Sequence, residues 1–306
     1  MALSGELVIN TRDVIGKGAF ATVFGGKYQG MPCAIKVIFV NHFSKVLYPN
    51  FLETAQWERK KSEKLRAEMN ILLKLQSNPN VVLYYGCKEY HIVEMELTFM
   101  DIVMERCDGT IVHFLADSTN FPGIRKQAIM RNMASGLEFI HSHGIIHKDI
   151  KPDNVLLSNK DGQAKLTDFG ISKEMEIDQT SVTNTSSCTN LWAAPEIIDP
   201  NRKDERLRPS IDIFSMGLVF YHLITEAYPT AITGQSPYDE DQLRGKPTSL
   251  RNLIDAMTHD KSKSRISAED VLDHPYLDGE GPLVVLGFHE KHLKTLSADN
   301  AVEDCY

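Results

Sequence analysis

The chain has 306 residues, 42% of them hydrophobic and 24% charged, with a formal net charge of −8 and an isoelectric point near 5.8. This length exceeds the usual single-core size, so one domain of two lobes, or two small domains, is expected. The acidic balance argues against a protein built to wrap a nucleic-acid backbone, and five widely spaced cysteines (Cys33, Cys87, Cys107, Cys188 and Cys305) with no CxxC pair fit free thiols in a reducing compartment better than disulfides or a zinc site.

The opening MALSGELVINTRD has neither a basic n-region nor an apolar h-region, and no later apolar run approaches the length of a membrane span, so a cytosolic or nuclear setting is expected. Up to about Leu97 the pattern reads as short strands around one helical segment, Ser62 to Leu75, with Leu65, Met69, Leu72 and Leu73 as its apolar residues. Gly16-Lys17-Gly18 lies between two strand-like runs and is followed at Val23 by a β-branched residue. Glycines in such a turn let backbone N–H groups approach phosphates closely, although a lone GxG is also a common hairpin turn.

Lys36 stands alone inside the apolar run PCAIKVIF. Its plainest reading is an edge-strand lysine facing solvent. A lysine that neutralises phosphate oxygens instead needs a rigid strand and an orienting carboxylate, for which Glu68 on the Ser62 to Leu75 segment is the candidate. The long gap makes residues 39–60 look like an insertion, so Glu63 and Glu58 compete for that role.

From Asp108 onward helices dominate. Ile129, Met133, Leu137 and Ile140 recur at helical spacing, and Ile211 to Ile224, IDIFSMGLVFYHLI, is apolar nearly all round, as a helix at the centre of a lobe should be. Between them lies the strongest chemical signal, His147-Lys148-Asp149-Ile150-Lys151-Pro152-Asp153-Asn154, with Asp168-Phe169-Gly170 fourteen residues after Asn154. A base-competent carboxylate, a cation two residues on, an amide three further and a second carboxylate beside glycine are the parts that phosphoryl transfer needs. Any one fragment occurs by chance; the ordered set does not. Gln179 to Asn190, QTSVTNTSSCTN, reads as an exposed loop rich in hydroxyls.

Carrying these motifs, the chain resembles a eukaryotic protein kinase from about Val8 to about Leu277, with an N-lobe over 8–107, a C-lobe over 108–277 and a tail over 278–306. The resemblance implies an α+β bilobal fold, a small strand-rich lobe with one regulatory helix above a larger helical lobe, and the use of ATP and Mg2+. Lys36 would contact the α- and β-phosphates, Asp149 would accept or position the substrate hydroxyl proton, Lys151 would stabilise the transferring phosphoryl group, and Asn154 and Asp168 would hold magnesium. Ile15, Gly16, Gly18, Val23, Ala34 and Leu156 would enclose the nucleotide, with Met104 as gatekeeper and backbone groups of Glu105 and Cys107 on adenine. Lys151, two residues after Asp149, resembles serine/threonine kinases.

Leu72, Tyr84, His147 and Phe169 fall where the family stacks its regulatory spine; Ala194-Pro195-Glu196 closes the activation segment, and Arg265 resembles the arginine that pairs with Glu196. Asp212 heads the buried helix. Two departures stand out: Ala21 replaces the third glycine of the loop, and Lys148 replaces the arginine before the catalytic aspartate, losing a bidentate fork. Ser186 and Ser187, between the DFG and APE segments, are the expected phosphorylation sites, with Lys148 as a cationic partner.

Within kinases, NPNVVLYY, ERCDGTI, TNLWAAPEII and IDIFSMGLVFYHLITE resemble the Ire-type kinase/endoribonuclease sensors of the unfolded protein response and the related ribonuclease L. About 29 residues follow Leu277, too few for the nuclease core of that family. The expectation is therefore a kinase acting on a protein substrate, as a homodimer if it phosphorylates itself in trans, with a nucleotide-binding pseudokinase scaffold and a ribonuclease effector as the alternatives.

Overall fold

The computed structural model describes residues 3–18, 21–39, 63, 65–92, 97–170, 172–174, 191–199, 207–230 and 236–278. Its first part is a five-stranded antiparallel sheet in the order β1-β2-β3-β5-β4, formed by β1 (Leu7–Lys17), β2 (Ala21–Tyr28), β3 (Met31–Phe39), β4 (Tyr84–Ile92) and β5 (Leu97–Glu105). The β2–β3 hairpin turns on Gln29 and Gly30, both at positive φ (50° and 80°), the geometry that matches the twist of the strands it joins. Strand alternation then sorts the side chains. Ala34 and Lys36 pair with Met104 and Ile102, while Cys33, Ile35 and Val103 form a separate small core on the other face.

Residues 65–74 form helix α1, within the predicted Ser62 to Leu75. Its Leu65 and Leu72, with Leu75 just after its end, are buried with Ile38, Met100 and Ile102 of the sheet. Met69 is half-buried, but Leu73 is 37% exposed and lies off the packed face, a correction to its place in the apolar stripe.

The second part is built on α3 (Lys126–Ser142) and α5 (Ser210–Thr225), preceded by α2 (Ile111–Ala116) and accompanied by α4 (Pro195–Ile198), α6 (Thr248–Met257), α7 (Ala268–Leu272) and α8 (Pro275–Asp278). Ile129, Met133, Leu137 and Ile140 of α3 are all at most 1% exposed. Every residue from Ile211 to Leu223 of α5 is buried, as its all-round apolar sequence requires. Set among these helices are short strands that hydrophobic periodicity does not announce: β6 (Gly109–Thr110), β8 (Val155–Ser158) and β9 (Gln163–Leu166) in one sheet, β7 (Ile145–Ile146) with β10 (Lys173–Glu174) in another. Elements this short hold too few alternations to give a period.

The two parts are tied by the segment between α1 and β4. Leu166 N–H donates to Asn80 O (2.8 Å), Val82 N–H donates to Leu166 O (3.0 Å), and the Asn80 amide donates to Ala164 O (3.0 Å). Helix α3 reaches this strut only because Gly136 has no side chain: a Cβ there would lie 2.6 Å from Asn80 O.

Candidate active site

Lys36 points from β3 toward α1, where its ammonium meets Glu68 Oε1 at 2.8 Å and, across the cleft, Asp168 Oδ1 at 3.1 Å. Glu68 is 6% exposed, whereas Glu63 is exposed and Glu58 lies outside the described residues, so the competition among carboxylates falls to Glu68. Burial alone would lower the Lys36 pKa, but the two carboxylates outweigh it and raise the pKa, keeping the ammonium charged. Burial likewise works against the Asp168 carboxylate, yet Lys36 and a backbone N–H from Gly170 hold its pKa below the usual range. Asp168 adopts φ +66°, a left-handed conformation that a non-glycine residue keeps only when its surroundings enforce it.

The loop before Asp149 is held from below. The Asp212 carboxylate, 1% exposed, accepts the N–H groups of His147 (2.8 Å) and Lys148 (2.7 Å) and contacts His141 Nε2 at 2.9 Å. Heading α5 near its N-terminal end, it also complements the helix dipole. Lys148 is at φ +72°, a turn made affordable by that clamp.

His147 is wholly buried. Its Nδ1 accepts from Asp149 N–H (3.3 Å), so its Nε2 carries the proton and donates to Thr167 O (3.0 Å). Burial drives its pKa down despite three nearby carboxylates, and the neutral ring packs on Phe169 with centroids 4.9 Å apart. Leu72 and Tyr84, the other two predicted spine positions, are buried as well.

Asp149 is gripped on one oxygen. Lys151 Nζ lies 2.7 Å from its Oδ2, and Asn154 Nδ2 donates both to that oxygen and to the Asp149 carbonyl, each at 2.8 Å. The commitment of Nδ2 leaves Asn154 Oδ1 as the atom that can meet a cation.

A cavity of about 420 Å³ opens between the lobes, lined by Ile15, Gly16, Val23, Ala34, Lys36, Glu68, Met104, Glu105, Cys107, Asn154, Leu156 and Asp168 among others. Gly18 does not line it; its N–H is turned to Ala21 O across the β1–β2 connection (2.8 Å). At the hinge, residues 105–107 at the end of β5 where the chain passes into the second part, burial and the neighbouring Glu105 push the Cys107 thiol up to about 12, so it is a protonated packing group and no nucleophile.

Oxygen donors suited to magnesium are in place, since the Asp168 carboxylate and the Asn154 amide face one cavity beside Lys36. Magnesium keeps several waters and takes further ligands from substrate phosphates, so two oxygen donors from the chain suffice. The residues present therefore fit ATP with Mg2+.

Arg265 makes a two-pronged pair with Glu196, at 2.6 and 2.7 Å. Thr180 to Thr189, with Ser186 and Ser187, lies outside the described residues. Missed from the sequence were the Glu105 side chain, which accepts Leu83 N–H (2.7 Å) and meets the buried Lys165 at 3.2 Å, and the Asp13–Arg106 pair. Each joins residues far apart in the chain, and no local pattern marks it.

The protein kinase domain family matches residues 9–277. The chain is 27% identical over 90% of its length to the human serine/threonine-protein kinase/endoribonuclease IRE2, of which it spans 29%. It is 29% identical over 89% of its length to the serine/threonine-protein kinase dst2 of Dictyostelium discoideum, spanning 23% of that protein. To the serine/threonine-protein kinase/endoribonuclease IRE1 of Oryza sativa subsp. japonica it is 30% identical over 77% of its length, spanning 25% of that relative. With that match over most of its length, a two-part fold, a cleft between the parts and the ordered motifs placed around it, the chain belongs to the protein kinase domain family.

Proposed function

We propose that the chain is an active serine/threonine kinase that transfers the γ-phosphoryl group of ATP to protein hydroxyls. The observation that carries this reading is a pair of constellations, Lys36 with Glu68 and Asp168, and Asp149 with Lys151 and Asn154, joined where Asn154 and Asp168 line one cavity. Lys36, held rigid by Glu68, is placed to neutralise phosphate oxygens. Asp149 is positioned to receive the proton of an incoming hydroxyl, and Lys151, already on its carboxylate, to offset charge on the transferring group. Bound magnesium, held by Asn154 Oδ1 and Asp168, would supply neutralisation of the phosphate charge.

Lys151 and the names of the relatives support serine and threonine as acceptors. The resemblance to Ire-type sensors supports a place in unfolded-protein stress signalling from the cytoplasm, with self-phosphorylation in trans at Ser186 and Ser187. The pseudokinase alternative is disfavoured because Lys36, Asp149, Asn154 and Asp168 are all present and engaged. Incubation with ATP and Mg2+ followed by phosphosite mapping tests this. Phosphate on serine or threonine, Ser186 and Ser187 included, is the expected result. A chain that stays unmodified and leaves an added protein acceptor unmodified contradicts it, whereas modification that spares both serines removes only the self-phosphorylation sites.

A further inference from the structure

The outer rim of the cleft holds a charged pair that the phosphoryl-transfer chemistry leaves unused. Asp13 of β1 and Arg106 at the hinge both line the cavity, and the Arg106 guanidinium reaches both Asp13 oxygens, through Nη1 to Oδ2 and through Nη2 to Oδ1 at 3.5 Å. Such a fork on a carboxylate is directional as well as charge-assisted.

Two features of the sheet make room for it. The β1–β2 register slips between Asn10 and Val14, a bulge of the kind that re-aims a side chain. Opposite stands Gly25 of β2, paired with Ala34 and two residues from Val23, hence on the cleft-facing side. A Cβ on Gly25 would lie 2.0 Å from Asp13 Oδ2 and 2.2 Å from Arg106 Nη1, so the pair occupies the space a side chain would fill. The two ends also differ in rigidity. Arg106 follows Glu105, which is fixed by Leu83 N–H and Lys165, while Asp13 rides on the bulged edge strand of the sheet.

We propose that Asp13 and Arg106 form an ionic strap across the outer mouth of the cleft, tying its roof strand to the hinge so that the strap must open before bound nucleotide leaves. The strap rests on the nucleotide reading of the cleft given above. It makes Asp13 and Arg106 positioning residues for nucleotide retention.

The test is the release rate of a fluorescent ADP analogue chased with excess ATP in stopped flow, on the whole chain and on Asp13→Asn, Arg106→Gln, the double variant, Gly25→Ala and the charge reversal Asp13→Arg with Arg106→Asp. Each single variant is expected to release nucleotide roughly two- to fivefold faster, the range that partly exposed ion pairs support. The double variant should be no faster than either single, the reversal should recover slow release in part, and raising salt from about 0.05 M to about 0.5 M should speed release from the two proteins that keep the pair, the wild type and the reversal, more than from the single and double variants.

Asp13→Asn is the discriminating arm. It removes a negative charge near an anionic ligand, so simple electrostatics predicts slower release and the strap predicts faster. Normal binding with unchanged or slower release in that variant overturns the strap alone. Failure of the wild type to bind the analogue overturns the nucleotide reading, and the strap with it.

Discussion

Replacing Lys36 by Met leaves Glu68 and Asp168 facing each other across the cleft with no cation between them, and replacing Asp168 by Ala removes the carboxylate that a phosphate-bound metal would meet. Either change deletes electrostatic stabilisation where charge is concentrated, an effect worth several kcal/mol at the transition state. Both variants are expected to lose phosphoryl transfer while unfolding cooperatively like the wild type. Turnover assays beside circular-dichroism melts check this, and undiminished turnover in either variant would remove that residue from the proposed chemistry. Lys36 was legible because a single cation interrupts an apolar strand. Glu68 was legible only as one of three carboxylates, since the span from residue 39 to residue 60 hides the register between strand and helix, and the 2.8 Å contact decides it. Asp13 and Arg106 carried no signal, for an ion pair 93 residues apart in the chain leaves no period or motif.

At the scale of elements, the clearest tie within the helical part is Arg265. It spends its guanidinium on both Glu196 oxygens and on the carbonyls of His259 (2.7 Å), Ser210 (3.0 Å) and Asp260 (3.2 Å), with its plane against Phe214 at 4.8 Å. Arg265 and Glu196 are both 7% exposed. Arg265→Ala therefore strands a buried carboxylate and is expected to cost about 3–5 kcal/mol in urea unfolding; Arg265→Lys should recover little, having no fork. A loss below about 1 kcal/mol in Arg265→Ala would show that the pair is dispensable.

Gly136→Ala would drive a methyl group into Asn80 O, and about 1–3 kcal/mol of destabilisation is expected from such overpacking. Helix α5 was readable because thirteen successive buried positions need apolar residues on every side. The β6 to β10 strands were not, because two to four residues held by neighbours in space look like loop in sequence.

Across the whole molecule, acid sensitivity has an identifiable contributor in His274, which is 6% exposed between α7 and α8 and whose pKa burial lowers to about 4. The unfolded chain binds this proton near pH 6.5 and the folded chain only near pH 4, so stability falls as pH drops through that window and rises as pH increases through it. From pH 7 to pH 5 this group is expected to remove about 2 kcal/mol. Urea unfolding of His274→Gln beside the wild type at the two pH values should show that much less acid loss in the variant; equal losses would assign the acid limb elsewhere.

The bilobal plan itself was readable from the change of pattern near Asp108, yet the strut through Asn80, Val82 and Leu166 that joins the lobes was not, because backbone hydrogen bonds carry no side-chain signature.

In the proposed chemistry Asp149, gripped by Lys151 and Asn154, serves protein phosphorylation. The direct measurement is the initial rate of transfer from γ-labelled ATP with Mg2+ to a protein acceptor, with the labelled amino acids identified, for the wild type and Asp149→Asn at equal nucleotide saturation. Label on serine and threonine is expected in the wild type, with a rate at least about 10²-fold lower in Asp149→Asn, the usual contribution of a positioned base. Equal rates in the two proteins, or saturating nucleotide with no transfer by the wild type, would contradict it.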